Sequence, residues 1–68
     1  MISKGDIVAF VHEDGMPGEG QPHRVLYASG RRVDVRAIKD NGRTFGATFT
    51  GIPEDFRPYN DEDRKRWE

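Results

Sequence analysis

Residues 23–50, HRVLYASGRRVDVRAIKDNGRTFGATFT, decide the fold of this chain, because two runs of alternating side chains meet there at a tight turn. The apolar positions of both runs recur at every second residue, as they do on one face of a strand. These positions are Val33, Val35, Ala37, Phe45, Ala47 and Phe49. Between the runs lies the segment 39–43, KDNGR, whose Asn41 and Gly42 tolerate the positive φ that a tight hairpin needs. The stretch therefore predicts a β-hairpin.

The size and composition of the chain indicate one small domain. Its 68 residues bury a smaller share of their surface than those of a large domain, and hydrophobic and charged residues each make up 34%. Cysteine is absent, so neither a disulfide nor a thiolate metal site can supplement the core. The apolar run after Asp6 is too short for a signal peptide or a membrane span. We expect a soluble, cytoplasmic protein.

Strand patterns also flank the hairpin. The four predicted strands cover residues 4–12, 23–29, 31–38 and 44–50. Both faces of the first strand are apolar, with Ile7, Ala9 and Val11 on one of them, while Val25 and Tyr27 share one face of the second strand. The glycines and prolines between the first two strands predict a long irregular loop, and a tight reversal at Ser29 and Gly30 joins the second strand to the third.

The C-terminal third predicts a short strand and a short helix. Pro53 and Pro58 limit the segment 52–59 to a single helical turn followed by a short last strand. Asn60 is placed to cap a helix over residues 61–67, in which the acidic residues lie at the start and the basic residues at the end.

This order of elements resembles the SH3-like barrels, which have a first strand, a long loop, a three-stranded meander, a short helical turn and a last strand. The resemblance covers about residues 4–59. Some of its residues look like the KOW-type barrels of transcription and ribosome-associated proteins. Those residues are Lys4, Gly5, Asp6, Ile7 and Val8, then Gly15, Gly18, Gly20 and Val25. The implied fold is all-β: a small SH3-like five-stranded antiparallel barrel over residues 1–59, with a short C-terminal helical tail over residues 60–68.

Positive charge is concentrated in the middle of the chain. Residues 23–43 hold six Arg and Lys residues against Asp34 and Asp40, whereas residues 1–22 hold only Lys4 against four acidic residues. Such a surface suits phosphates or an acidic protein patch. A solvated strand face with local Arg–Asp pairs fits the same residues. The candidate binding residues are Arg31, Arg32, Arg36, Lys39 and Arg43, together with Tyr27 and Tyr59.

The aromatic residues allow two interpretations. Related barrels hold peptides or bases on exposed aromatic side chains. A chain with so few large apolar residues, however, needs most of its aromatic residues for the core. Tyr27 and Tyr59 are the expected surface residues, since their hydroxyl groups need water or a partner. In the hairpin we expect one set of side chains to face inward and another to face outward. The inward set is Val33, Val35, Phe45 and Phe49, and the outward set is Arg32, Arg36, Lys39 and Arg43.

The sequence contains no recognised arrangement of catalytic or metal-binding residues. His12 and His23 flank the acidic loop, but they lack the ligand spacing of a known metal site. Ser3 and Ser29 do not lie on a nucleophile elbow, and there is no Gly-rich phosphate loop. So small a domain rarely encloses a substrate pocket. We expect no enzyme, no cofactor and no metal, and the residues disfavour a small-molecule substrate.

These observations predict a small binding module. The first hypothesis is a bacterial or phage accessory or regulatory protein that binds nucleic acid, or a transcription or translation complex, through the basic hairpin face. The alternative is a protein–protein interaction module or inhibitor that offers its aromatic face and acidic tail to a basic partner. A third class, a subunit of a larger assembly, leaves self-association open.

Overall fold

The computed structural model describes residues 1–39 and 41–67, and within them it contains five β-strands, two 3-10 turns and one α-helix. The strands are β1 Ile7–Phe10, β2 His23–Ala28, β3 Val33–Ile38, β4 Thr44–Gly51 and β5 Phe56–Pro58. The 3-10 turns are Val11–Glu13 and Pro53–Asp55, and the helix is α1 Asp61–Trp67. Glu68, which belongs to the predicted tail, lies outside the described residues. No helix in the described part of the chain is both long enough and apolar enough to span a bilayer.

The five strands form one antiparallel sheet in the order β4-β3-β2-β1-β5. The predicted fold class, an all-β domain of five antiparallel strands with a short C-terminal helix, is therefore confirmed. The last strand returns to pair with the first, with Phe10 opposite Phe56 and Val8 opposite Pro58. Consequently β4 and β5 occupy the two ends of the strand order.

The core is small and lies on the face of the sheet that contains the alternating valines. Its buried members are Val8, Val25, Val33, Val35 and Phe56, and Ile2, Phe10 and Ala28 pack against them. Val25 is opposite Val35 on the neighbouring strand, so the centre of the core is a cross-strand pair of β-branched residues. The predicted inward positions of Val33 and Val35 are confirmed.

The inward prediction is wrong for the two phenylalanines of β4. Phe45 is 37% exposed and Phe49 is 50% exposed, although their cross-strand partners Ala37 and Val35 are both buried. Both phenylalanines thus lie on the core side of the sheet, but at its uncovered end, because β4 is an edge strand. The first strand is also shorter than predicted, since Val11 begins a 3-10 turn and is exposed.

The hairpin turn forms where the sequence predicts it. Lys39 N donates to the Arg43 carbonyl at 2.8 Å, and Gly42 N donates to the Lys39 carbonyl at 2.8 Å. Gly42 has a φ of 82°, whereas Asn41 does not take the positive φ expected for it. Instead, the Asn41 side chain accepts a hydrogen bond from Arg43 N. Asp40, the remaining residue of the predicted turn, lies outside the described residues.

Arg57 of β5 joins the long loop and the helix to the sheet. Its Nη1 and Nη2 donate to the two carboxylate oxygens of Asp63 at 2.6 and 2.7 Å, and its Nε and Nη2 donate to Asp14. Asp63 is completely buried. It also completes the predicted cap, because Asn60 Oδ1 accepts from Asp63 N while Asp63 Oδ2 accepts from Asn60 N.

The Arg57 hydrogen bonds lower the pKa of Asp63 below its ordinary value of 3.8, and they raise the pKa of Arg57. A depressed carboxyl pKa stabilises the folded state above pH 3.8, and this stabilisation is lost as the pH falls through the folded-state pKa. A second ion pair, Arg66 with Glu19, links the helix to the loop at the surface.

We predict that Arg57→Met lowers the free energy of unfolding by about 2–3 kcal/mol, because it leaves a buried carboxylate without its charged donor. Urea unfolding followed by circular dichroism measures this change. The matched control is Arg66→Met, which breaks the more exposed pair and should cost less than about 1 kcal/mol. Equal losses in the two variants would contradict the central role of Arg57.

Candidate functional site

The outer face of β2, β3 and β4 carries the basic residues, and a bulge in β2 decides which side chains join them. Arg24 is directly opposite Arg36, while Tyr27 is opposite Asp34. The register shifts between Val25 and Tyr27, so β2 has one more residue there than β3. The predicted sharing of a face by Val25 and Tyr27 is therefore wrong: Val25 is buried, and Tyr27 is 45% exposed on the outer face.

A larger bulge in β4 holds Arg36 in place. Three residues of β4, Gly46 to Thr48, lie opposite the single residue Arg36, because Ala37 pairs with Phe45 while Val35 pairs with Phe49. Gly46 has a φ of 76°, a conformation that side chains other than glycine rarely adopt. Its carbonyl accepts from Arg36 Nε at 3.1 Å and from Arg36 Nη2 at 2.9 Å. The guanidinium is thus fixed in position while its charge has no carboxylate partner in the described part of the chain.

The other arginines of this face differ in how they are held. Arg24 Nη2 donates to the Gly42 carbonyl at 3.3 Å, which brings it to the hairpin turn. Arg32 lies over the Tyr27 ring at 4.4 Å from the centroid and pairs with Asp34 at 3.5 Å. Asp34 also accepts from Thr50 Oγ1 at 2.8 Å. We call the set Arg24, Tyr27, Arg32, Asp34 and Arg36 the basic face.

The remaining predicted binding residues lie around this face or away from it. Arg31 and Arg43 are exposed at the two turns that border it. Lys39 lies on the other side, with its Nζ 5.3 Å from the centroid of the Phe45 ring. Tyr59 follows β5 and is half-buried, and its backbone N donates to the Ile7 carbonyl. The structure thus brings Arg32, Arg36 and Tyr27 together, but not Lys39 or Tyr59.

The opposite face opens into a second candidate site, an apolar cleft of about 530 Å³. Its walls include Phe10, His23, Phe45, Phe49 and Asp55. The aromatic rings meet edge to face: Phe10 is 4.6 Å from His23 and 5.9 Å from Phe49 between ring centroids. Phe56, which pairs with Phe10, is buried in the core.

His23 forms the floor of the cleft and is only 2% exposed. Its Nδ1 lies 3.1 Å from the Gln21 carbonyl, which can only accept, so Nδ1 carries the proton. Burial lowers the pKa of His23 below its ordinary value of 6.5, against the smaller opposite effects of the Gln21 carbonyl and the Glu13 carboxylate. The ring is therefore held neutral among aromatic neighbours.

Two features of these sites are absent from the sequence-based set of binding residues. Arg24 has a signal, since it alternates with Val25 and so faces outward, but only the strand register shows that it meets Arg36. Alternation places His23 on the buried face of Val25, but its role as the floor of a cleft depends on ring contacts with Phe10 of β1 and Phe49 of β4. In residues 1–39 and 41–67, no three His, Asp or Glu side chains come together in a way that could hold a metal ion.

We predict that the free energy of unfolding falls as the pH is lowered from about 7.5 to 5, by at most about 1.4 kcal/mol per pH unit. The unfolded histidine binds a proton near pH 6.5, whereas folded His23 binds it only at lower pH, so protonation favours unfolding. Urea unfolding at a series of pH values measures the slope. His23→Leu should flatten it, and the exposed-residue control His12→Leu should preserve it. The interpretation fails if both variants keep the slope of the original protein.

Comparison with known proteins found no match among protein-family models, curated proteins or solved structures.

Proposed function

We propose that this chain is a non-enzymatic binding module with an SH3-like fold, and that its basic face binds nucleic acid in a bacterial or phage transcription or translation complex. The element order supports the SH3-like assignment, because a long loop follows β1, β2 to β4 are consecutive neighbours in the sheet, and a 3-10 turn precedes β5, as in the barrels that the sequence resembles.

The observation that carries the proposal is the cross-strand pair of Arg24 and Arg36. Two like charges directly opposite each other destabilise a sheet unless an anion lies between or beside them. In the described part of the chain both guanidinium groups bond to backbone carbonyls and neither has an acidic partner. A phosphate group is an anion that arginine binds well, with two parallel N–H donors.

Neighbouring residues support a polymer of phosphates as the ligand. Arg31 and Arg43 extend the positive charge to the turns at both ends of the face. The exposed Tyr27 ring, already covered on one side by Arg32, offers the kind of flat surface on which bases stack. The whole chain has a net charge of only −1. The evidence for an anionic ligand is therefore the local concentration of arginine and not the total charge.

We predict that a fluorescent single-stranded oligonucleotide binds at low salt and that its affinity falls steeply as salt is added. Fluorescence anisotropy over a salt series gives the slope of log K against log salt. Arg24→Gln should weaken binding and make the slope shallower by about 0.7, the value expected when a single strand has one phosphate fewer neutralised by the protein. Arg43→Gln should act in the same direction.

The matched control is Lys65→Gln, which removes one positive charge from the exposed surface of α1. It should leave the slope unchanged. A double-stranded oligonucleotide of the same sequence distinguishes stacking on Tyr27 from phosphate contact alone. Absence of binding to either oligonucleotide at low salt would overturn the proposal and leave the protein-interaction module as the better hypothesis.

A further inference from the structure

The edge strand β4 has a bulge opposite Arg36, but it lacks the other features that normally protect the edge of a sheet. It is the first strand in the sheet order and has eight residues, TFGATFTG, with no charged residue and no proline. All of its positions from Phe45 to Thr50 are exposed. Natural edge strands are usually short, charged, bulged, interrupted by proline or covered, because their free backbone groups pair with other chains. This strand is long, uncharged and rich in residues that favour strands.

Two exposed aromatic side chains project from this edge. Phe45 and Phe49 lie on the same face as Ala37 and Val35, with which they pair. They are among the exposed large hydrophobic residues of the described chain, and both line the apolar cleft. A partner that continues the sheet past β4 would cover the backbone edge and these two rings together.

We propose that β4 pairs with β4 of a second copy of this chain, in antiparallel orientation about a two-fold axis at Ala47. The sequence is close to symmetric about Ala47. Phe45 and Phe49 lie two positions from Ala47 on either side, and Thr44 and Thr50 lie three positions from it. In this register Phe45 of each copy is opposite Phe49 of the other, and Thr44 is opposite Thr50. Aromatic pairs and threonine pairs are both favourable neighbours across antiparallel strands. The interface is isologous, as two-fold interfaces must be.

The charges beside β4 select the antiparallel orientation. Lys39, Asp40 and Arg43 precede the strand with a net charge of +1, and Glu54 and Asp55 follow it with a charge of −2. Antiparallel pairing brings the basic end of each strand to the acidic end of the other, so the two copies are electrostatically complementary at both ends of the interface. Parallel pairing would place the two Arg43 residues side by side and repel.

The proposed axis at Ala47 lies within the bulge of β4, whose Gly46 carbonyl accepts from Arg36, so the regular cross-strand pairs of the dimer are those that flank the bulge, Phe45 with Phe49 and Thr44 with Thr50. The interface is small, and dimers held by small interfaces dissociate on dilution.

This inference does not depend on nucleic-acid binding, because self-association is measured in the absence of any ligand.

Sedimentation equilibrium from low micromolar to millimolar concentration tests the dimer. The original chain should shift from monomer to dimer with concentration and should form no larger species, since a two-fold interface closes. Thr48→Lys, which places a charge on the edge, should abolish the dimer. Met16→Lys adds the same charge to an exposed loop residue and should leave it intact. Circular dichroism verifies that each variant is folded.

Disulfide trapping tests the register without weakening the interface. The chain has no cysteine, so Ala47→Cys introduces the sole thiol. At a two-fold axis the two substituted residues are directly opposite, with Cα atoms about 4.5–5.5 Å apart, a distance that a disulfide spans. Mild oxidation should convert this variant to a covalent dimer much faster than the loop control Met16→Cys. The proposal is overturned by a monomer at every concentration, by a dimer that survives Thr48→Lys, or by equal cross-linking of the two cysteine variants.

Discussion

The double hydrogen bond between Arg57 and Asp63 is the interaction on which the rest of the structure depends. Folded domains are stable by roughly 0.05–0.15 kcal/mol per residue, so a chain of 68 residues has only a few kcal/mol in total. Its core consists mainly of valines and one phenylalanine. The predicted loss of about 2–3 kcal/mol on removing Arg57, which leaves the buried Asp63 carboxylate unpaired, is therefore a large fraction of the stability. Through Asp14 and Asp63 it also connects the two segments that contribute least to the core, the long loop and the helix.

Local patterns predicted the elements of this fold well. The turns and the capped helix are specified by residues close together in the chain: Ser29 accepts from the backbone of its own reversal, and Asn60 caps the helix that begins next to it. Period-two alternation likewise placed β2, β3 and β4 within a few residues of their observed bounds. Each of these signals operates within a few positions, so no knowledge of the tertiary structure is needed to detect it.

The faces of the strands could not be predicted in the same way, because bulges change them. One extra residue near Leu26 moves Tyr27 to the outer face. The bulge opposite Arg36 has two extra residues, so it leaves Phe45 and Phe49 on the common face that alternation predicts. Bulges depend on the neighbouring strand, which simple alternation does not include. The exposure of the phenylalanines depends further on the absence of a strand beyond β4 in the sheet order. For the same reason the charge pattern indicated the region of the candidate site, but not the pairing of Arg24 with Arg36.

The basic face and the exposed edge are two consequences of one arrangement. The bulge in β4 directs the Gly46 carbonyl toward Arg36, which fixes this arginine beside Arg24 without neutralising it. The same strand leaves Phe45 and Phe49 uncovered on the other face. Directly paired residues share a face, so a sheet continued through two copies of β4 would have both basic faces on one side and all four phenylalanines on the other. Self-association would then bury the apolar surface and bring the arginines of two basic faces to one side of the sheet, with Arg43 at the boundary between the basic face and the dimer interface.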